Sequence, residues 1–136
     1  MRLFELTPVR RRGSITRTGV LLRSVGMVAL SQREREAVEH LARRLRSRLA
    51  DRLADVRLYG SRARGEGRSE SDVDVAVVVT EHSPAVRREV FDEVSAVVLE
   101  HDLLLDVHVL DRAHLQALRR AGSPYARRLE EEGVPL

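Results

Sequence analysis

Cysteine and lysine are both missing from the 136 residues, tryptophan is missing too, and aromatic residues make up only 3%. Without cysteine there is no disulfide scaffold, no thiolate zinc centre and no cysteine nucleophile. Without lysine there is no Schiff-base chemistry and no Walker-type lysine for a phosphate. All 24 basic residues are therefore arginine. Arginine suits phosphate contacts, but total replacement of lysine reads as genome composition or thermophily rather than function. The shortage of rings argues against a protein that stacks the bases of a single strand, and it leaves the core to Leu, Val and Ala. Long apolar runs are also lacking. Thr18–Leu30 is the nearest approach, but Arg23 interrupts it, and nothing reaches the ~20 apolar residues of a membrane span. No signal-peptide pattern is read, so the cytoplasm is the expected compartment.

What is present suits one globular domain. Hydrophobic residues make up 43%, which excludes wholesale disorder. The length leaves no room for a separate substrate-recognition domain. Charge is unevenly spread. Residues 1–30 hold six Arg and one Glu, whereas the remainder holds 18 Arg and 20 acidic residues. The high pI thus belongs to a basic N-terminal arm, and residues 31–136 form a nearly neutral domain, which argues against direct nucleic-acid binding. The arm has no clear periodicity. It reads as a disordered arm or an extension upstream of a start at Met27, or as a basic arm that touches a partner or nucleic acid.

From Ser31 the pattern becomes regular. Ser31-Gln32-Arg33-Glu34 is a capping box, and Val38, Leu41, Leu45, Leu49 and Leu53 give one apolar stripe of a helix reaching about Leu53, with arginines on its wet face. Asp55–Tyr59 reads as a short strand. Asp72–Thr80, dominated by Val, is the strongest strand in the chain. Ser83-Pro84 opens a second helix to about Leu99, and Leu103–Leu110 is a third strand. Asp111 caps a helix ending at Ala121-Gly122, and Ser123-Pro124 starts a last one closed by Gly133. Alternating strands and helices imply an α/β layer structure with a small sheet. Periodicity alone does not fix the order or direction of its three strands.

The chemistry concentrates after the first strand. Gly60-Ser61 is followed, after ten intervening residues, by Asp72-Val73-Asp74. Side chains alternate along a strand, so Asp72 and Asp74 emerge on one face, their Cα atoms about 6.5–7 Å apart. Val75, Val77 and Val79 lie on the other face. Two carboxylates on a rigid edge can share divalent ions, and magnesium favours such hard oxygen ligands. Gly60 lets backbone approach a phosphate closely. A helical turn from Ser61 would offer amides and a hydroxyl to phosphate oxygens, with Arg62 and Arg64 adding charge-assisted contacts. Asp106 sits among Leu103, Leu104, Leu105, Val107 and Val109, where a lone carboxylate would be costly unless a metal or an arginine answers it. Asp102 and His108 are expected on the same strand face, His108 as a core or edge histidine.

Together, Gly60-Ser61-Arg62-Ala63-Arg64-Gly65, Ser71-Asp72-Val73-Asp74-Val75 and Leu105-Asp106-Val107 resemble the signature of the minimal nucleotidyltransferases of the DNA polymerase beta superfamily. Ser123–Leu136 also resembles the closing helix of their antitoxin-type branch. The resemblance covers roughly Ser31 to Leu136. It implies a small mixed β-sheet with flanking helices, and two Mg2+ ions held by Asp72, Asp74 and Asp106. It also implies a triphosphate bound by Gly60 and Ser61, and transfer of a nucleoside monophosphate, AMP from ATP, onto an acceptor hydroxyl. The implied partner is a HEPN-type toxin modified on a tyrosine. An antitoxin acting by contact alone, or a small-molecule nucleotidyltransferase, would carry similar motifs. The sequence does not fix nucleotide preference, acceptor or oligomeric state.

Overall fold

The computed structural model describes residues 29–65 and 72–136. The basic arm therefore lies outside the described residues, apart from Ala29 and Leu30. Leu30 is buried, and the Ala29 N–H donates to the Arg62 carbonyl at 2.8 Å.

Helix α1 spans Gln32–Leu49 and opens on the expected reciprocal cap. The Glu34 N–H donates to the Ser31 hydroxyl at 3.1 Å, and the Ser31 N–H donates to the Glu34 carboxylate at 2.9 Å. Ala37, Val38, Leu41, Ala42, Leu45 and Leu49 form its buried stripe. The helix stops earlier than its stripe suggests. Ala50 takes a positive φ of 51°, a single 3-10 turn follows over Ala50–Arg52, and Leu53 begins strand β1 (Leu53–Tyr59). Leu53 keeps the four-residue spacing of α1 but packs from the sheet.

Strand β2 (Val73–Val79) is central, and every residue in it except Asp74 is buried. Helix α2 (Pro84–His101) starts where the Ser83 hydroxyl accepts from the Val86 N–H, has proline in its first turn, and ends at Asp102 with φ 53°. It is the crossover that a parallel pair requires, and it delivers β3 (Leu105–Asp111) beside β2. Asp111 and Ser123 then cap α3 (Arg112–Arg120) and α4 (Pro124–Glu132) through bonds from the His114 and Ala126 amides.

After Gly133 the chain adds β4 (Val134–Pro135), a strand too short to show alternation in sequence. It pairs antiparallel with β1. The sheet is mixed, in the order β3-β2-β1-β4, with β1 antiparallel and β3 parallel to β2.

The alternation of β2 sorts the layers. Val73, Val75, Val77 and Val79 pack with the stripes of α1 and α2 in the main core. Ala76 and Val78 belong to a smaller cluster with Leu110, Leu115, Ala126 and Leu129, under α3 and α4.

The arginines of α1 are not merely a wet face. Arg44 and Arg48 reach Glu93 of α2 at 2.7 and 2.6 Å, and Arg52 reaches Glu89 at 3.0 Å. Burial alone would raise the Glu93 carboxyl, but the Arg44 and Arg48 guanidiniums outweigh it and hold Glu93 below the usual carboxylate range. Among the described residues no helix is long and apolar enough to cross a membrane.

Candidate active site

Three strands meet at one row of the sheet. Tyr59 at the end of β1 pairs with Asp74, and Asp74 is in register with Asp106 of β3. Parallel strands in register send the same side of their pleat to the same face, so the two carboxylates stand side by side. Two residues along β3, His108 joins them, its Nε2 lying 3.4 Å from Oδ1 of Asp106. One donor atom from each of Asp74, Asp106 and His108 lies within 4.8 Å of the others.

The cost of this crowding shows at Asp74. Burial, then the hydrogen bond and charge of Asp106, push its carboxyl up to about 6, with Asp72 adding to the rise and His108 opposing it. Asp72 precedes β2 and is exposed. It stands outside the close group of three, but its charge reaches Asp74.

Gly60 leaves room for this carboxylate. Its φ is +83°, and a Cβ there would lie 2.5 Å from Oδ2 of Asp74. A side chain at position 60 would therefore strain the backbone and displace Asp74. From Gly60 the chain coils through a short turn. Ala63 and Arg64 donate to the Gly60 carbonyl at 3.1 and 3.3 Å, and Gly65 donates to the Arg62 carbonyl at 3.2 Å. Ser61 is partly buried in this turn.

The two arginines of the turn are engaged differently from the phosphate contacts expected of them. Arg62 is only 2% exposed, and its fork meets Glu34 at 2.7 and 2.9 Å while also donating to the Ala29 carbonyl at 2.7 Å. Its guanidinium points inward and ties the turn to the start of α1. The bond from Arg62 holds the Glu34 carboxyl below its usual value despite partial burial. Arg64 bridges at 3.2 Å to Glu132 at the end of α4.

Two expectations need correction. Asp102 does not share the face of Asp106, because it ends α2 as a left-handed cap before β3 begins. Asp106 is also not enclosed by its apolar neighbours. β3 is an edge strand, and the side chain is 48% exposed. Water therefore carries much of the cost that sequence reasoning assigned to an enclosed carboxylate.

Tyr59 and Tyr125 were not anticipated. Their rings meet edge-on at 5.7 Å, and Tyr59, the strand partner of Asp74, meets His108 at 5.8 Å. Burial pushes both phenols above their usual range. The position of Tyr59 directly before Gly60 was the available signal, whereas Tyr125 arrives from α4 and left no local trace.

Residues 38–133, which include all of this site except Glu34, match the family of nucleotidyltransferase domains. The chain belongs to that family. No curated protein matches it. Among solved structures, it is similar to a candidate nucleotidyltransferase from Sulfolobus solfataricus. That similarity has 21% identity, 90% coverage of each chain and a TM-score of 0.44.

The donor set of this nucleotidyltransferase domain fits a divalent cation. Hard carboxylate oxygens converge, one of them too basic for an ordinary aspartate, and the bare glycine beside Asp74 leaves room for its carboxylate in this place. A positive ion placed among them would relieve the repulsion.

Proposed function

We propose that this domain transfers a nucleoside monophosphate, AMP from ATP, onto a protein hydroxyl, and that it serves as the antitoxin of a HEPN toxin–antitoxin pair. The observation that carries the catalytic reading is the register of Asp74 with Asp106 above a glycine that only a bare backbone can satisfy. The protein acceptor is supported by exposure. Asp106 lies on the edge strand, so a large acceptor can approach it without displacing any described element. The AMP donor and the HEPN partner rest on the motif resemblance.

In this scheme Asp72, Asp74 and Asp106 hold two Mg2+ ions. When bound, magnesium supplies charge neutralisation, a more acidic acceptor hydroxyl and stabilisation of leaving pyrophosphate. The turn at Gly60 and Ser61 receives the triphosphate, and Arg64 lies on its rim. Arg62 positions that turn through Glu34. Asp106 accepts the proton of the attacking hydroxyl in this reading. The acceptor oxygen bonds to the α-phosphorus, the α–β phosphoanhydride bond breaks, and pyrophosphate departs. Tyr59 and Tyr125 shield one flank from water.

The test incubates the protein with labelled ATP, Mg2+ and the product of the neighbouring gene, then weighs that product. An AMP adduct with the wild type, absent with Asp74→Asn, supports the proposal. Equal neutralisation of the partner by both proteins, with no adduct from any NTP, establishes an antitoxin that acts by contact alone.

A further inference from the structure

A second group of metal-ligating side chains lies across the sheet from the carboxylates. His40 of α1 and His101 at the end of α2 approach to 3.0 Å between Nδ1 and Nε2, their rings edge-on. Glu100 adds a carboxylate oxygen 3.9 Å from the same Nδ1 of His40. All three donor atoms lie within 4.8 Å of one another. We propose that His40, Glu100 and His101 form a binding site for a divalent transition metal of the Zn2+ class, separate from the nucleotidyl-transfer centre.

The chemistry of the donors separates this site from the first. Imidazole nitrogens suit zinc and its neighbours, whereas carboxylate oxygens suit magnesium. The geometry is close to what an ion needs. At zinc–nitrogen distances of about 2.0–2.1 Å, two nitrogens 3.0 Å apart subtend roughly 94° at the ion, and a tetrahedral angle needs them only ~0.3 Å further apart.

Burial is graded in the right order. The His40 side chain is 20% exposed and Glu100 is 61% exposed, so two sheltered imidazoles face a carboxylate at the water boundary. Solvent can then supply the remaining ligand. The site also sits at the C-terminal end of α2, where the helix carbonyls favour a cation. Without an ion, the two imidazoles satisfy each other by sharing one proton, so the free protein tolerates the arrangement.

An ion here would join α1 to the end of the crossover that sets β3 beside β2. Its role is structural, fastening the end of α2 to α1.

The experiment titrates ZnCl2 into the EDTA-treated full chain in excess Mg2+, by calorimetry and by thermal melting. One Zn2+ equivalent should bind and raise the melting temperature, and EDTA should reverse the rise. His40→Gln and His101→Gln should each lower Zn2+ affinity by at least the roughly 10–100-fold that loss of even an outer partner costs. Glu100→Gln should lower it less, and Asp74→Asn should retain the equivalent. Should His40→Gln fail to fold, His101→Gln and the exposed Glu100→Gln decide the matter. Absence of Zn2+ binding overturns the site. So does an equivalent that survives His101→Gln or disappears with Asp74→Asn. Neither result bears on AMP transfer, which is measured with Mg2+ alone.

Discussion

On one face of the sheet, α1 and α2 cover Val73, Val75, Val77 and Val79 with a continuous layer of Leu and Val, fastened outside by Arg44, Arg48 and Arg52 against Glu89 and Glu93. On the other face, α3 and α4 cover Ala76 and Val78 with a smaller cluster and leave Asp74, Asp106 and His108 at its margin. One strand, β2, serves both. Its odd residues are apolar and interchangeable in kind, whereas its even residues begin with Asp74, a carboxylate that Asp106 of β3 repels. The difference shows how a small domain tolerates an electrostatically poor site: the strand that carries the site is held from behind by the larger core.

The comparison breaks most sharply at Asp74. Asp74→Asn should reduce nucleotidyl transfer by about 10²–10³ or more, the usual cost of removing electrostatic stabilisation from a transition state. Stability should move the other way. The folded Asp74 carboxyl titrates near 6 against a usual 3.8, so the metal-free wild type is penalised above that range and recovers stability as the pH falls through 6 toward 4. Asp74→Asn should therefore be more stable than the wild type at pH 7.5 in EDTA, by on the order of 1–2 kcal/mol after solvent screening. The advantage should vanish near pH 4. Urea denaturation at several pH values measures it.

Behind the sheet, the pattern should invert. Leu45→Ala empties part of the main core and should cost about 2–5 kcal/mol of stability. Transfer by the fraction that remains folded should be unchanged. Chemical denaturation and activity per folded molecule separate the two.

Arg62→Met tests the link between the faces. It leaves Glu34 half-covered without its guanidinium, and should cost about 2–3 kcal/mol, less than a fully enclosed pair would. Here the pH dependence has the opposite sign to that of Asp74. Glu34 is held below its usual 4.5 by Arg62, so the pair's stabilisation is complete above pH 4.5 and fades as the pH falls through the lowered folded value. The gap between wild type and variant should narrow in acid.

Arg48→Gln should do least, lowering the melting temperature only slightly, because that guanidinium is partly in water and Arg44 still answers Glu93. The change should shrink further in high salt, which melting curves at two ionic strengths would show.

What sequence revealed and what it hid divide along the same lines. Caps at Ser31, Ser83, Asp111 and Ser123 were legible because each is a contract between residues three apart. The two faces of β2 were legible because alternation is local. The side-by-side placement of Asp74 and Asp106 followed from motif order, although nothing local fixed their register. The tie from Arg62 to Glu34 was hidden because the two lie 28 residues apart and a guanidinium reads the same whether it faces phosphate or carboxylate. Asp106 looked enclosed because its neighbours are apolar, but the order of strands put it on an edge. β4 was invisible because two residues have no period.

The route from Asp74 to Asp106 also sets a sequence of events. Gly60 and Asp74 belong to antiparallel neighbours, which a single turn region can bring together. Asp106 reaches its register only after the whole of α2 has folded back across the sheet. Contacts that close long loops form late. The mutual repulsion of the two carboxylates is therefore absent while the β1–β2 pair forms and enters at the closing step, when β3 docks. In the metal-free chain, that repulsion accordingly weakens the pairing of β3 with β2 and leaves the β1–β2 pair untouched.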